Sequence, residues 1–241
     1  MKDLLVIGGG PGGYVAAIRA RQLGMKVALV EKDKLGGTCL NRGCIPTKTY
    51  YRHAEIMRSL QRLEEFSIQL DAGPARLDMA GTRARKDAVV EQMAGGVDAL
   101  LQAHGVEVIR GEAVVEEAGR VRAGEQSIEA KRLLLATGSE SIRPAALPGT
   151  DLPGVLTCEE LLARSEIPAR LLIIGGGVIG MEFAGIFKAF GSQVRVLKSL
   201  PRALAFLDKE IARRMSVLFK RQGKKINAGV KVERIKTQGD C

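Results

Sequence analysis

The chain has 241 residues, 46% of them hydrophobic, which is enough to bury the core of one large domain or two small ones. No apolar run reaches the roughly 18 residues that a membrane span needs, and the apolar start is too short for a signal peptide. The formal charge of +10 is spread along the chain and aromatic residues make up only 4%, so composition favours a cytoplasmic globular protein with no membrane and no nucleic-acid partner.

The N-terminal segment predicts a strand, a glycine turn, a helix and a second strand. The apolar run LLVI from Leu4 leads into Gly8, Gly10 and Gly13 in the spacing Gly-x-Gly-x-x-Gly, and the second strand VALVE ends at Glu31. Glycines at these places permit a tight turn, close approach of backbone to a pyrophosphate, and close packing of helix on strand. An acid about 20 residues into such a motif accepts hydrogen bonds from a ribose, so this segment predicts a dinucleotide site.

The next segment, GGTCLNRGCIPTK, holds two cysteines in a polar, glycine-rich setting. The residues after Cys44 predict a helix with Pro46 in its first turn. The positive end of that helix and Lys48 would stabilise a thiolate at Cys44, as disulfide exchange requires. Four cysteines are too few for a disulfide framework, which favours a redox pair of Cys39 and Cys44.

Two other interpretations of these cysteines are a pair of buried structural thiols and a zinc site. The glycine-rich surroundings are untypical of a core. A structural zinc site needs four ligands, and the other candidates do not stand at ligand spacing. They are Cys158, Cys241, His53 and His104. We therefore predict no metal site.

The second half of the chain repeats the first motif. After a linker rich in proline and glycine, SIRPAALPGTDLPGV, each landmark recurs 167 residues later, at Gly175, Gly177 and Gly180. Lys198 stands where the first copy has Glu31. The segment DKEIARRMSVLFKRQG then predicts a helix, and KKINAGVKVERIK a strand.

These patterns predict an α/β protein with two Rossmann-like dinucleotide-binding units, the second incomplete. Residues 1–147 would form an FAD-binding domain that carries the cysteine pair. Residues 148–241 would form a partial NAD(P)-binding domain. Two such sites in one chain suggest a flavin and a nicotinamide, one passing hydride to the other.

The cysteine motif, with GPGGYVAAIRARQLG and GGGVIGMEFAGIFKAFG, resembles the pyridine nucleotide–disulfide oxidoreductases over almost the whole chain. The resemblance is strongest to the members that oxidise dihydrolipoamide with NAD⁺ through a cysteine disulfide and FAD. It implies that Cys44 faces the flavin and that Cys39 exchanges with substrate. A relative acting on another disulfide, like glutathione or mercuric reductase, and a non-catalytic FAD-binding fragment that needs a partner chain are the alternatives.

The resemblance also implies which residues act. The catalytic residues would be Cys39, Cys44, Lys48 and Glu182, with Lys48 and Glu182 paired near the flavin. The cofactor-binding residues would be Gly8, Gly10, Gly13, Glu31, Lys32, Gly37, Thr38, Cys39, Lys48, Ala113, Thr137, Gly138, Ser139, Gly175, Gly177, Val178, Ile179, Gly180, Glu182, Lys198 and Val232.

The expected cofactors are FAD and NAD, or NADP in view of Lys198, because lysine offers only donors to the ribose. The expected partner is the lipoyl group of a 2-oxoacid dehydrogenase or glycine cleavage complex, and the full-length enzyme would be a homodimer. The chain ends at Cys241, before the family's second FAD segment and its dimerisation domain with a His–Glu pair. We expect neither His53 nor His104 to replace that histidine.

Overall fold

A computed structural model describes residues 1–69, 73–223 and 225–237. The chain divides into two compact units, one made of Met1–Pro46 and Lys86–Glu140, the other of Thr47–Arg85 and the chain from Ser141 onward. Segment 47–85 therefore clusters with the second unit, although the boundary predicted from the motifs lay at residue 147. How the two binding functions divide along the chain stays a prediction.

The chain begins each half with a strand, a helix and a second strand, and a run of helices and a run of strands lie between these two segments. The helices are α1 Pro11–Gln22, α2 Gly37–Arg42, α3 Cys44–Leu60, α4 Met79–Ala103, α5 Cys158–Leu162, α6 Val178–Ala189 and α7 Lys209–Arg221, with a 3-10 turn at Leu63–Phe66. The strands are β1 Leu4–Ile7, β2 Val27–Glu31, β3 Glu107–Arg110, β4 Ala113–Glu117, β5 Arg120–Ala123, β6 Gln126–Glu129, β7 Leu133–Leu135, β8 Arg170–Ile174, β9 Gln193–Lys198 and β10 Lys225–Ala228.

The first unit is built on a parallel sheet in the order β3-β2-β1-β7. Leu5 and Val6 of β1 point to opposite faces and both are fully buried. Val6 packs with residues of α1 and α4, and Leu5 packs with Val121 and Ile128 of the antiparallel meander β4-β5-β6. Both faces of this sheet are covered, which explains why the neighbouring strands β1 and β7 are continuously apolar.

The second unit holds a parallel sheet in the order β10-β9-β8. Its core lies around α6, where Phe187 packs on Phe190 with ring centroids 5.7 Å apart. Tyr50 of α3 meets Phe190 edge to face at 6.0 Å, and its hydroxyl donates to Leu162 O at 3.0 Å. These contacts explain why α3 clusters with this unit although it begins at the cysteines.

The predicted α/β class with two Rossmann-like units is confirmed, because both units have a parallel sheet with a β-α-β start. The predicted helix from Asp208 is α7, and the predicted C-terminal strand is β10. In the described part of the chain, no helix is both long and apolar enough to cross a membrane.

Candidate functional site

The first glycine turn has the steric demands of a nucleotide-binding turn. Gly8 has a φ of +107°, and a Cβ there would lie 2.2 Å from Ala136 O. A Cβ at Gly13 would lie 1.8 Å from Gly8 O, so only glycine lets α1 approach β1 this closely. A Cβ at Gly10 would make only an ordinary van der Waals contact, with Gly37 Cα at 3.6 Å, so neighbouring atoms do not by themselves require a glycine there.

The helices after both glycine turns begin without a side-chain cap. The N-caps of α1 and α6 are Gly10 and Gly177, and neither helix has an acid in its first turn. In contrast, Thr157 caps α5 in a capping box and Asp208 caps α7. The free N–H groups and the positive ends of α1 and α6 are thus left for an anion such as a pyrophosphate.

Glu31 ends β2 with its carboxylate held beside the glycine turn. Its Oε2 accepts a hydrogen bond from Gly9 N–H at 2.7 Å, and its Oε1 accepts from Asp33 N–H at 2.8 Å. Both oxygens keep lone pairs for further donors. The carboxylate is therefore oriented to accept from ribose hydroxyls, and the turn and acid together fit the ADP half of a bound FAD.

The segment after β7 lies beside the same turn. Ala136 N–H donates to Ile7 O at 2.8 Å, and Thr38 Oγ1 of α2 donates to Ser139 O at 3.3 Å. Thr137, Gly138 and Lys32 are exposed. The structure thus brings α2 and the segment 136–139 together at the carboxyl end of the sheet, where ligands bind in open α/β folds.

Ala113 begins β4, and the backbone just before it is hydrogen-bonded to the end of β2. Gly111 N–H donates to Glu31 O at 3.0 Å, which holds the start of β4 near the end of β2. Ala113 itself pairs with Ala123 of β5 and is half-buried. The first unit therefore gathers the predicted residues Gly8, Gly10, Gly13, Glu31, Gly37, Thr38, Ala113 and Ser139 around one sheet edge.

The two cysteines lie on successive helices. Cys39 is half-buried in α2, and Cys44 is the exposed first residue of α3, which has Pro46 in its first turn as predicted. Gly43 joins the helices and packs so tightly that a Cβ there would lie 3.4 Å from Cys39 Cα. The chain therefore folds back on Cys39 just before Cys44. Among the described residues no group of three or more His, Cys, Asp or Glu side chains could hold a metal ion.

Asn41 is a positioning residue that the sequence did not single out. Its Nδ2 donates to Leu35 O at 2.9 Å and to Gly37 O at 3.0 Å, so it ties α2 to the loop that precedes it. Arg42 pairs with Asp33 nearby. An asparagine among glycines commonly bonds to local backbone, and this tendency was the available signal.

Lys48 of α3 and Glu182 of α6 form an ion pair. Met181 and Phe183 on either side of Glu182 are buried, and the Glu182 side chain keeps 27% of its surface exposed against 57% for Lys48. A pair this exposed adds little to stability, typically about 1 kcal/mol or less. Its value to the protein is therefore in fixing the position of the ammonium group.

The second glycine turn repeats the first in a more open setting. Gly175 has a φ of +121° with nothing within 4 Å of a Cβ, whereas a Cβ at Gly180 would meet Gly175 O at 2.2 Å. Lys198 ends β9, and its carbonyl accepts from Val230 N–H at 3.0 Å, which brings the chain toward Val232. The predicted residues Val178 and Ile179 are exposed at the start of α6.

Comparison with known proteins supports the family resemblance that the sequence motifs indicate. Residues 2–240 match the family model described as pyridine nucleotide-disulphide oxidoreductase. The chain is 38% identical to dihydrolipoyl dehydrogenase of Acholeplasma laidlawii over 237 residues, which cover 97% of this chain and 70% of that protein. It is 40% identical to dihydrolipoyl dehydrogenase of Bacillus subtilis (strain 168), with 95% of this chain and 51% of that protein covered.

Among solved structures, the HOCl-induced flavoprotein disulfide reductase RclA from Escherichia coli superposes with a TM-score of 0.82 at 30% identity, covering 96% of this chain and 50% of that one. The chain thus spans about half the length of several relatives that it matches. Since the family model extends over nearly every residue, this chain belongs to the pyridine nucleotide-disulphide oxidoreductases.

Proposed function

We propose that this chain carries the FAD site, the redox-active cysteine pair and part of the pyridine-nucleotide site of a dihydrolipoyl dehydrogenase. The observation that carries the proposal is the placement of Cys39 and Cys44 on two helices joined by a tightly packed glycine, in the segment that follows a β-α-β motif whose turn fits the ADP half of FAD. The identity of about 40% to dihydrolipoyl dehydrogenases favours this substrate over other disulfides.

In the proposed reaction a dihydrolipoyl dithiol reduces the Cys39–Cys44 disulfide. One substrate thiolate attacks Cys39 Sγ and forms a mixed disulfide, and the Cys39–Cys44 bond breaks to release Cys44 as a thiolate. The second substrate sulfur then displaces Cys39, so the lipoyl group leaves as a disulfide and the protein keeps two reduced sulfurs. The dithiol loses two electrons and two protons; the cysteine pair gains the electrons as two thiolates, and the two protons pass to solvent.

A bound FAD would supply the two-electron chemistry that links the cysteine pair to hydride transfer to NAD⁺. The residues proposed to hold its ADP half are the glycines of the first turn, with Glu31 accepting from the ribose and the N-terminus of α1 facing the pyrophosphate. The Lys48 ammonium, which Glu182 holds in place, would supply positive charge on the same helix as Cys44. The partners proposed for the whole protein are the lipoyl group of a 2-oxoacid dehydrogenase or glycine cleavage complex and a second copy of the chain.

A relative acting on a different disulfide is a second candidate, because RclA, a disulfide reductase, has the same fold over 96% of this chain. The non-catalytic fragment is favoured by one observation, the exposure of Leu172 and Ile174 on β8, which leaves apolar surface for further polypeptide to cover.

Anaerobic titration of the FAD-loaded chain with dihydrolipoamide tests the proposal. We expect the free-thiol count to rise by two in the wild type, and no such rise in Cys39→Ser or Cys44→Ser. Cys158→Ser is the matched control, since Cys158 lies on α5 with its Sγ 3.5 Å from Ser141 Oγ, and should behave as the wild type. A rise that depends on Cys158 instead would contradict the cysteine assignment, and reduction by glutathione but not by dihydrolipoamide would favour the second candidate.

A further inference from the structure

We propose that Lys198 makes the second unit select an adenine nucleotide with a phosphate on the 2′ position of its ribose over one with a free hydroxyl there. This inference rests on the proposed function, in which the second unit binds a pyridine nucleotide. It assigns the specificity for the ribose to one side chain.

Lys198 occupies the place in the second unit that Glu31 occupies in the first. Each is the last residue of the strand after its nucleotide-binding helix. A Cβ at Gly9 would lie 3.1 Å from Glu31 Oε2, and a Cβ at Gly176 would lie 3.1 Å from Lys198 Cδ. Glu31 therefore lies against Gly9, and Lys198 lies against Gly176. In the first unit this is the place where the carboxylate can accept a hydrogen bond from a ribose.

The two units offer opposite hydrogen-bonding groups at this place, acceptors in the first unit and donors in the second. In the first unit Gly9 N–H donates to the Glu31 carboxylate at 2.7 Å, so the pair leaves acceptors for ribose hydroxyls. A lysine ammonium can only donate. Where the structure describes the chain, Gly176 N–H donates to no acceptor and no carboxylate pairs with Lys198. The second unit thus presents donors and a positive charge, which favour an anionic phosphate over a hydroxyl, because a hydroxyl can accept from the ammonium but its own O–H finds no carboxylate among the described residues there.

Arg202, four residues further on, is a weaker candidate for the same role. Its Nη2 donates to Ala205 O at 3.2 Å. It also stands near Asp208, where the backbone N–H groups of Glu210 and Ile211, and to a lesser extent Arg202 itself, lower the carboxyl pKa. The charge of Arg202 is therefore partly balanced within its own loop, and Lys198 is the cation left for the ligand.

The test uses ligands that contain only the adenosine half, so that it does not depend on nicotinamide chemistry. The whole chain, saturated with FAD so that the first unit is filled, is titrated calorimetrically with 5′-AMP and with adenosine 2′,5′-bisphosphate. We expect the wild type to bind the bisphosphate about tenfold or more tightly, which is the order of a charge-assisted hydrogen bond.

Three variants sharpen the experiment. Lys198→Gln should lose most of the preference for the 2′-phosphate, and Lys198→Glu, which restores the residue of the first unit, should reverse it. Arg195→Gln removes the same charge from the same strand, but Arg195 alternates to the side opposite the buried Val194 and Val196, and this variant should keep the wild-type preference.

Equal affinity of the wild type for the two nucleotides, or binding of neither, would overturn the inference, as would an unchanged preference in Lys198→Gln. If Arg195→Gln lost as much of the preference for the 2′-phosphate as Lys198→Gln, the preference would come from the general positive charge of the unit, and the inference would be overturned as well. Failure of the proposed function would be seen elsewhere, in the absence of flavin binding or of thiols gained on reduction, and neither measurement involves Lys198.

Discussion

The two units start from the same glycine spacing but differ in what covers the sheet behind it. In the first unit Leu5 and Ile7 of β1 are 0% and 7% exposed, because the meander β4-β5-β6 packs on them. Their counterparts 167 residues later, Leu172 and Ile174 of β8, are 56% and 46% exposed. The difference shows that the β-α-β motif defines the turn and one face of the sheet, while the other face depends on elements outside the motif.

A second difference concerns the neighbour of the first strand. In the first unit β7 pairs with β1 and passes beside Gly8, so the turn is enclosed. In the described part of the second unit β8 is an edge strand, and nothing lies within 4 Å of a Cβ at Gly175. Identical motifs should therefore tolerate substitution differently, which the following experiments measure unit by unit.

The largest expected difference is between Leu5→Ala and Leu172→Ala. Leu5 is fully buried, so truncation should cost about 2–5 kcal/mol in the free energy of unfolding of the first unit. Leu172→Ala should change the second unit by about 0.5 kcal/mol or less, because most of its side chain already meets water. Urea-dependent hydrogen exchange of β1 and β8 peptides reads each unit separately. A large cost for Leu172→Ala would show that this face is covered in solution.

The next comparison is Gly8→Ala against Gly175→Ala. Both glycines have a positive φ, which costs an alanine about 1–3 kcal/mol. Only at Gly8 does the new Cβ also meet a backbone oxygen at 2.2 Å, so this variant should cost about 2 kcal/mol more. The same exchange measurement, with FAD retention as a second readout, checks the order. Equal costs would mean that the backbone at Gly8 relaxes away from Ala136.

Adding a side-chain cap to α6 should raise the stability of the second unit and lower its affinity for a nucleotide. Gly177 has a φ of −81° and open space at its Cβ, so Gly177→Asp should cap α6 and stabilise the second unit by about 0.3 kcal/mol. The added carboxylate competes with the nucleotide phosphates, so affinity for the nucleotide should fall about tenfold. Calorimetry and urea unfolding measure the two effects, and Gly177→Ala is the control without a cap. A nucleotide that binds Gly177→Asp normally would place its phosphates elsewhere.

The smallest expected effect is the loss of stability at low pH that the acidic cap of α7 causes and that α6, which has no acidic cap, does not share. Backbone N–H groups of Glu210 and Ile211 lower the pKa of the Asp208 carboxyl that caps α7. A lowered pKa stabilises the fold above the ordinary aspartate pKa of 3.8, and this contribution is lost as the pH falls through the lowered value.

The urea midpoint of the second unit should therefore fall as the pH is lowered below the ordinary aspartate pKa of 3.8, and less so in Asp208→Asn. Asparagine still caps a helix but does not titrate, so it is the matched variant. Since α6 has no acid at its cap, Gly177 variants should leave this acid dependence unchanged. An identical fall in Asp208→Asn would assign the acid sensitivity to other carboxylates.

The sequence by itself determined the features that depend on neighbours along the chain. The glycine spacing, the apolar strands on either side of α1 and α6, the helix α7 and the position of Cys44 at the start of α3 all follow from local pattern. Steric freedom at glycine, hydrophobic periodicity and the fixed φ of Pro46 act within a few residues, so they can be seen in one sequence.

Only the tertiary structure decided what joins distant segments. Tyr50 of α3 packs on Phe190, 140 residues away, in the unit that holds α6, and no local pattern encodes that pairing. The short helix α2, which Asn41 ties to the preceding loop, is also a product of contacts, since six residues are too few to form a stable helix alone. The exposure of Leu172 was decided in the same way, because an apolar strand residue becomes buried only where another element packs on it.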